Sequence, residues 1–476
     1  MKKDYCCWNR RRPWAAIMAA LLTSVAAPAV YAIDFAQCVQ DAQKRNPEAL
    51  LAEAQAAEAK GALSSADGNL LPKLTASFSG VQSNNALTVF GMKLSQRVAT
   101  FNDFGASQFN PSEPQSLYTA PNNLDHPGGY HNLGTEISLA IPIWNGGAVR
   151  SGISEAEAML RAAQAGDQFA QQKLTFTVLQ AYDGLIAAKA GQEVAEKALR
   201  AADNYVKTTQ QLLDQGVVVK SDLLSAQVHQ EEAVLAVQQA KDNVANARAN
   251  LALLIGQPIS TPIQVDAPVL PPQPAGDTYA LEQEAIANNP GIRALQEKVR
   301  AARAGIGVAR AAYLPHVNAM AKQEWNGTTL GNAVPSYTVG GQISWNLLDL
   351  SRSGQMDAAQ AKVQVALANL QKAQDDTRLQ LQKSLLATKL ASQRVKARKL
   401  AVRQSEEAQR LVRLRYQNGV ETLTGLLRGQ ASLDQSRAEL VQARYAEAVE
   451  RGALLLALGK MDIQTLTGAA TTGETK

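Results

Sequence analysis

Cysteine and histidine are rare in this chain of 476 residues, which has three of the first and four of the second. Cys6 and Cys7 fall in the N-terminal segment, so Cys38 has no partner and an internal disulfide is excluded. The residues before Cys38, DFAQ, are not the small apolar ones that usually precede a lipid-modified cysteine, which argues against an acyl anchor. The histidines do not have the spacing of metal ligands.

Enzyme motifs are missing as well. GIGVAR, residues 305–310, begins like a dinucleotide loop but lacks the third glycine and lies inside a predicted helix. GALLLALGK, residues 452–460, lacks the spacing of a phosphate loop. No Ser-His-Asp set or carboxylate pair can be placed in one pocket. We therefore predict that the chain is not an enzyme and uses no cofactor, metal or nucleotide.

Positive charge is concentrated at the start of the chain. Residues 1–32 combine five basic residues and one acidic residue with the apolar run WAAIMAALLTSVAAPAV, and they end in the small residue Ala32. This pattern predicts a signal peptide that is cleaved before Ile33, with an uncleaved membrane anchor as the alternative. The whole chain has a net charge of +5, so export leaves it at about +1. That weak charge removes the main support for nucleic-acid binding.

One pattern occurs twice in the sequence. Residues 46–72 and 289–315 both begin with Asn-Pro and end with Leu-Pro, and they are 243 positions apart. Other matched segments follow in the same order, for example DQGVVVKSDLLSAQ at 214–227 and QNGVETLTGLLRGQ at 417–430. Repetition of ordered landmarks predicts two structural repeats. The prolines mark where a helix begins and where the chain becomes extended.

The repeats define the predicted organisation of the chain. The first covers residues 33–256 and the second residues 279–460, each with the order helix, strand, loop, strand, very long helix, turn, helix. Residues 257–278 contain six prolines and are predicted to form an extended linker. Residues 461–476 are predicted to form a flexible tail.

Two proline-free segments predict very long helices. Residues 149–215 and 351–418 contain no proline. At about 1.5 Å per residue, each helix reaches roughly 100 Å. Both are too polar to cross a bilayer, and their apolar residues recur in broken heptads, which is typical of coiled-coil packing in water. A soluble fibrous coiled coil is the alternative, but it does not account for four inserted strands.

Aromatic residues make up only 5% of the chain, and their placement is selective. Four segments alternate with period two and predict two strands in each half. Trp144, Trp325 and Trp345 all fall in or beside these strands, as expected of the aromatic belts of membrane barrels. Trp325 and Trp345 share the apolar phase of their strands, whereas Trp144 does not. A soluble sheet packed on helices is the alternative.

Four strands are too few to close a barrel. In hydrocarbon a free strand edge costs several kcal/mol for each unpaired backbone group, and known single-chain barrels begin at about eight strands. The chain is therefore expected to share one barrel with copies of itself. Two copies supply eight strands and three supply twelve, and composition does not decide between them.

The paired halves, the segment IPIWNGG at 141–147 and the two matched turns resemble the TolC family of outer-membrane efflux proteins. The resemblance covers nearly all of residues 34–460. It implies a mainly α fold with a membrane β-barrel: a trimer with an α-helical barrel and one shared twelve-stranded β-barrel, four strands from each protomer. It also implies outer-membrane lipid, a periplasmic adaptor and an inner-membrane transporter of RND or ABC type as partners.

The expected function is that of an outer-membrane exit duct. Small-molecule efflux and type I protein secretion both remain open, because one tube serves either. The alternative class is a periplasmic coiled-coil adaptor without a pore. Adaptors usually carry a lipoyl-like β-domain, which the sequence does not show.

The loop at 81–132 gives the first half 39 extra residues and is predicted to face the exterior. It holds half of all the phenylalanines of the chain, which a fully solvated loop rarely does. We expect an ordered cap that packs over or into the barrel mouth; the alternative is a surface loop without a role in transport. The phenylalanines are Phe90, Phe101, Phe104 and Phe109.

The turns after the long helices are predicted to form the periplasmic tip and gate. Gly216 and Gly419 follow the helices directly, where glycine permits a left-handed conformation. The resemblance places Ser221 and Asp222 at a Thr-Asp pair of the family's lock, and Tyr416 at a tyrosine that bonds the acidic residue.

Three positions depart from the family pattern at this tip. Glu421 stands where a well-studied member has arginine, and Gly425 and Arg428 stand where it has two aspartates that form acidic rings. Three copies of Arg428 at a constriction predict a weaker preference for cations. Neutralisation of Arg428 by Asp222 or Glu421 is the alternative.

Overall fold

A computed structural model describes residues 31–468 of the chain. The predicted signal peptide lies outside the described residues except for its last two positions, 31 and 32. Most of the described chain is helical, and four strands form one sheet. No helix within residues 31–468 combines the length and the hydrophobicity needed to cross a membrane.

The two halves share four equivalent helices. In the first half the elements are β1 (Tyr31–Ile33), α1 (Phe35–Arg45), α2 (Pro47–Gly68), β2 (Lys73–Ser83), α3 (Ala86–Ser95), α4 (Asn122–Asp125), β3 (Tyr130–Trp144), α5 (Ala148–Asp214) and α6 (Lys220–Leu254). In the second half they are β4 (Ile263–Val265), α7 (Thr278–Asn288), α8 (Pro290–Ala311), β5 (His316–Gly327), β6 (Val334–Ser344), α9 (Ser351–Gln417), α10 (Leu423–Ala457) and α11 (Ile463–Gly468).

Equivalent helices have equal lengths. α1 and α7 have 11 residues, α2 and α8 have 22, α5 and α9 have 67, and α6 and α10 have 35. The equivalents begin 243 positions apart before the strands and 203 positions apart after them. The first half therefore carries 40 extra residues between its second and its long helix, one more than the sequence comparison indicated.

The duplicated Asn-Pro steps hold stacked helices together. The side chains of Asn46 and Asn289 each accept the backbone N–H two positions on, at 2.9 and 2.8 Å, and so cap α2 and α8. Each amide also donates to a carbonyl at the end of another helix, that of Leu254 in α6 or Ala457 in α10. The repeated motif therefore joins a helix start to a helix end, in addition to breaking the chain direction.

The long helices α5 and α9 pack against two sets of shorter helices, α2 with α8 and α6 with α10. α5 contacts α2, α8, α6 and α10, and α9 contacts α8 and α10. At about 1.5 Å per residue, a helix of this length spans roughly 100 Å. The shorter helices are stacked end to end beside it, so the described chain forms a long column with the sheet at one end.

The largest apolar core lies where the stacked helices meet. Phe35 of α1, Val178 of α5 and Leu251 of α6 are nearly inaccessible in it, and Ile263 of β4 closes it from the linker side. β4 pairs in parallel with β1, so the predicted linker contains a strand.

The prediction of a flexible tail from residue 461 is wrong for residues 461–468. Met461 is 0% exposed and Leu466 is 3% exposed, and both belong to this same core. This segment is ordered and includes α11, because burial of Met461 and Leu466 offsets the entropy lost when a short segment becomes ordered.

The four strands that the alternating segments predicted form one antiparallel sheet, in the order β2-β3-β5-β6. One face carries Leu74, Leu139, Ala321 and Val339 in adjacent register. The other face carries small and polar residues. Because successive side chains of a strand point to opposite faces, the sheet has one apolar and one polar surface.

Trp144 lies on the apolar face, contrary to the phase read from the sequence. A β-bulge between Pro142 and Trp144 adds one residue to β3, so Trp144 pairs with Val317. Val317 in turn pairs with Ile343 on the apolar face. A bulge shifts the side-chain phase by one residue, which strict alternation does not anticipate.

Candidate functional site

The apolar face of the sheet is uncovered in the single chain. Leu74, Phe78, Tyr337 and Val339 on this face are 70%, 61%, 80% and 74% exposed. Continuous exposed apolar surface of this kind marks an interface with another molecule or a membrane. Together with the polar opposite face, it fits strands that have lipid on one side and a lumen on the other.

The tryptophans stand at the two ends of this face. Trp325 lies near the loop end of the sheet, opposite Pro335, whereas Trp144, opposite Val317, and Trp345 lie at the helix end. The eight residues between the levels of Trp325 and Val317 span about 26 Å of strand. Strands of outer-membrane barrels are tilted by about 40°, so this length corresponds to roughly 20 Å of height, somewhat less than the apolar band of about 25 Å that aromatic girdles border.

Both edges of the sheet are open. Within residues 31–468, β2 pairs only with β3, and β6 pairs only with β5. In hydrocarbon these edges need partners, because the backbone groups find no water there. In a membrane the sheet therefore needs strand partners beyond those within residues 31–468.

The long loop is shorter than predicted and is folded. β2 extends to Ser83 and β3 begins at Tyr130, which leaves residues 84–129. We call these residues the cap. Besides α3 and α4, the cap contains the 3₁₀ turns Phe101–Phe104, Ala106–Gln108 and Pro114–Tyr118.

The predicted phenylalanines play different parts in the cap. Phe90 and Phe104 pack edge to face with their ring centroids 4.6 Å apart. Phe101 is 87% exposed and Phe109 is 49% exposed, so only part of the aromatic set forms an internal core.

An ion pair closes the cap upon itself. Lys93 Nζ lies 2.6 Å from Asp103 Oδ1. The hydrogen bond from Lys93, together with those from Thr100, lowers the pKa of Asp103 to about 2. The carboxylate is therefore charged at neutral pH.

α3 packs against the polar face of the sheet. Gln96 donates to the Asn132 side chain at 2.8 Å and accepts from the Tyr130 hydroxyl at 2.8 Å. Arg97, which has a positive φ of 55°, donates to the Pro335 carbonyl of β6. The cap thus begins at one edge strand and reaches the other on the face opposite the tryptophans.

The two predicted tip turns have matching geometry. Gly216 and Gly419 adopt φ values of 71° and 69°, in the left-handed region. The N–H after each glycine, of Val217 or Val420, returns to a carbonyl in the last turn of α5 or α9. This is the glycine-dependent helix ending that the sequence predicted.

Tyr416 is buried, but within the described chain it makes no hydrogen bond to Asp222, the acidic residue that the resemblance implied. Its hydroxyl lies 2.9 Å from Thr209 Oγ1, and its side chain is 2% exposed. Burial is the main cause that raises the pKa of Tyr416. Asp222 lies in the first turn of α6, and Ser221 beside it accepts from Ser225 through its carbonyl.

The three departures from the family pattern lie together at the start of α10. Glu421 Oε1 accepts the N–H of Thr422 at 3.1 Å. A Cβ built on Gly425 would lie 2.5 Å from the same oxygen, so glycine makes room for this carboxylate. Arg428 is exposed, and no ion pair with Asp222 or Glu421 forms within the described chain.

A buried polar network above the tip was not predicted. Gln409 of α9 donates to Gln430 of α10 at 3.0 Å and to the hydroxyl of Tyr205 in α5. Tyr205 donates to Gln430 at 2.6 Å, and Gln430 donates to Asp434 at 2.9 Å. The network joins three helices. Glutamine is common on solvated helix faces, so nothing in the sequence singled these residues out.

Comparison with known proteins agrees with this architecture. The sequence profile of the family described as "Outer membrane efflux protein" matches residues 38–257 and 281–460. The toluene efflux pump outer membrane protein TtgC of Pseudomonas putida is 25% identical over 326 residues, 66% of either chain. Protein CyaE of Bordetella pertussis is 29% identical over 362 residues, 71% of this chain and 73% of CyaE.

A solved structure has the same fold. The CmeC outer membrane channel of Campylobacter jejuni superposes with a TM-score of 0.74 at 17% identity, covering 92% of this chain and 89% of CmeC. The match with TtgC spans just under two thirds of TtgC's length. The family profile itself covers most of the sequence, from the first helix to the end of α10, and the chain therefore belongs to the outer membrane efflux protein family.

Proposed function

We propose that the chain is the outer-membrane exit duct of a tripartite export system. The observation that carries this proposal is the sheet, which has an exposed apolar face, a polar opposite face and two open edges. It stands at one end of a helical column of roughly 100 Å. A coiled-coil adaptor without a pore has no use for a lipid-facing sheet, so that alternative is set aside.

The duct is proposed to be a homotrimer with a twelve-stranded barrel. The open edges of β2 and β6 require other copies, and the resemblance to the TolC family favours three of them. Mass measurement of the detergent-purified protein tests the number directly. Three copies are expected, and a strictly monomeric particle would contradict the proposal.

The turns after α5 and α9 are proposed to form the periplasmic gate and the contact with an adaptor. The left-handed glycines support sharp turns at this end, and the buried network above it supports a rigid helical frame. Exposed Arg428 supports a positive ring at the constriction. The residues assigned to this gate are Gly216, Ser221, Asp222, Tyr416, Gly419, Glu421, Gly425 and Arg428.

The partners are proposed to be a periplasmic adaptor and an inner-membrane transporter of RND or ABC type. TtgC is named as part of a toluene efflux pump, and a further relative, ArpC of Pseudomonas putida, as part of an antibiotic efflux pump. By analogy, small organic molecules are the proposed cargo. Type I protein secretion remains the second use of the same duct.

Conductance of the purified protein in a planar bilayer tests the function. We expect discrete channels that require the assembled oligomer. The matched control is protein from the same preparation, heated until the oligomer dissociates. Absence of channels in oligomeric samples would remove the proposed function.

A further inference from the structure

Three charged side chains form a cluster on the polar face of the sheet. Glu136 of β3 stands directly opposite Glu324 of β5 in the register. Lys322, two residues from Glu324 and on the same face, lies 2.9 Å from the Glu324 carboxylate and 3.5 Å from that of Glu136. We call Glu136, Lys322 and Glu324 the triad.

The triad contributes little to the stability of the folded protein. Like charges directly opposite each other destabilise a pair of strands. Lys322 offsets this repulsion, yet all three side chains remain about a third exposed, and an ion pair at that exposure adds little to stability. With two carboxylates and one lysine, the triad has a net charge of −1 in each copy of the chain.

The position of the triad places this charge below the cap. Asn132 and Asn326 share its face of the sheet, and Asn132 contacts the cap through Gln96. Glu136 is four residues further along β3 than Asn132, which corresponds to about 13 Å of strand. A solute that leaves between the cap and the sheet therefore passes the triad.

Two further cations lie on this side of the sheet. Arg97 of the cap donates to the Pro335 carbonyl and forms no ion pair with Glu136 or Glu324 within the described chain, and Lys73 is too distant to cancel the charge of the triad. Lys73 pairs with Ala140, four residues beyond Glu136 toward the helices. That separation of about 13 Å of strand exceeds the Debye length of about 8 Å at physiological salt.

We propose that Glu136 and Glu324, with their charge balanced in part by Lys322, make the outer end of the duct prefer cations and cationic solutes. Charged rings that line a pore select against ions of the same sign. This inference rests on the proposed function, and it names the substrate class that the exit favours.

Reversal potentials in a salt gradient across a planar bilayer test the inference. In E136Q/E324Q only the lysine charge remains, and we expect the ratio of cation to anion permeability to fall several-fold. In E136K/K322E/E324K the ion pairs are kept with the opposite net sign, and the preference is expected to shift toward anions. The matched control is E53Q/E58Q, which removes two exposed carboxylates from α2, away from the strands.

The possible outcomes separate the inference from the proposed function. Wild-type protein that forms no channels overturns the function itself. Channels whose selectivity is the same in wild type, E136Q/E324Q and the inverted triad overturn only the inference. The inverted triad protects the test from misfolding, because it keeps opposite charges adjacent, and oligomer mass is measured for every variant.

Discussion

The two halves of the chain share four equivalent helices but differ in the loops between their strands. The helices agree in length at all four equivalent pairs, whereas the first loop covers residues 84–129 and the second covers residues 328–333. The helices are held by packing along the column, so a change of length in one half would break contacts with the other. The loops lie beyond the strands, where insertion costs little and a new function can be added.

The charged groups differ between the halves as well. Position 183 is a buried aspartate in α5, whereas its equivalent in α9 is the exposed Leu386. Arg428 in α10 corresponds to Ser225 in α6. A duplicated backbone thus carries side chains that make the two halves unequal in charge.

The largest effect is expected in the buried clusters that contain the equivalent residues Val178 and Leu381. Val178 and Leu381 occupy equivalent positions and are both 0% exposed. Leu381→Ala should cost about 2–5 kcal/mol, because it removes three carbons and leaves a cavity. Val178→Ala should cost less, about 1–3 kcal/mol, since it removes fewer carbons. Thermal unfolding followed by circular dichroism measures both. Leu379→Ala is the control, because Leu379 is 55% exposed; a loss as large as that of Leu381→Ala would argue against the core assignment.

The second effect concerns Asp183, which has no acidic equivalent in the other half. Its side chain is 3% exposed and accepts the Val269 N–H of the linker at 3.0 Å. Burial raises the pKa of Asp183 to about 7 from 3.8. The folded state therefore binds a proton that the unfolded state has released between those pH values, so stability falls as pH rises from about 4 to 7.

Asp183→Asn tests this pH dependence, because it keeps an oxygen acceptor for Val269 and removes the titration. The wild type should lose about 2–4 kcal/mol more than the variant across this pH range. Melting temperatures at pH 5, 6, 7 and 8 measure the difference. Parallel curves for the two proteins would show that Asp183 does not titrate there.

The third effect concerns the cap, which is much longer than the equivalent loop of the second half. Replacing the cap by a short loop of the length found in the second half should raise the single-channel conductance, because α3 no longer lies on the polar face. The expected change is severalfold at most, since the tip remains in series. A milder control is Gln96→Ala, which loses the contacts to Asn132 and Tyr130 but keeps the cap. Unchanged conductance in the loop replacement would favour a surface loop without a role in transport.

The smallest effect is expected at the tip. Arg428→Asp should shift the reversal potential toward cation preference, because it replaces a positive ring by a negative one. Ser225→Arg, at the equivalent position of the first half, should shift it the other way. If Arg428→Asp leaves the potential unchanged, Arg428 does not lie at the constriction.

Several features were predicted from the sequence because they depend on local chemistry. Proline after Asn46 and Asn289 starts a helix wherever it stands, and glycine at 216 and 419 permits the left-handed turn. The alternation of the strands predicted the sheet and its two faces. These signals act over a few residues, so they are present in the sequence without knowledge of the fold.

Other features were missed because they depend on partners distant in the chain. The bulge that turns Trp144 to the apolar face follows from pairing with β5. The bond from Tyr416 to Thr209 and the network around Gln409 join helices whose relative rotation no local pattern states. The order of residues 461–468 depends on a core built from both ends of the chain.

By itself, the sequence determined the duplication, the helix boundaries and the two-faced strands. Each follows from backbone geometry or from the cost of exposing apolar or unpaired groups. The tertiary structure alone decided which face receives the cap, and that Lys322 bridges Glu136 and Glu324. The physical reason is that packing among distant segments sets the strand register and the rotation of the helices. A shift of one residue in register moves a side chain to the opposite face of the sheet.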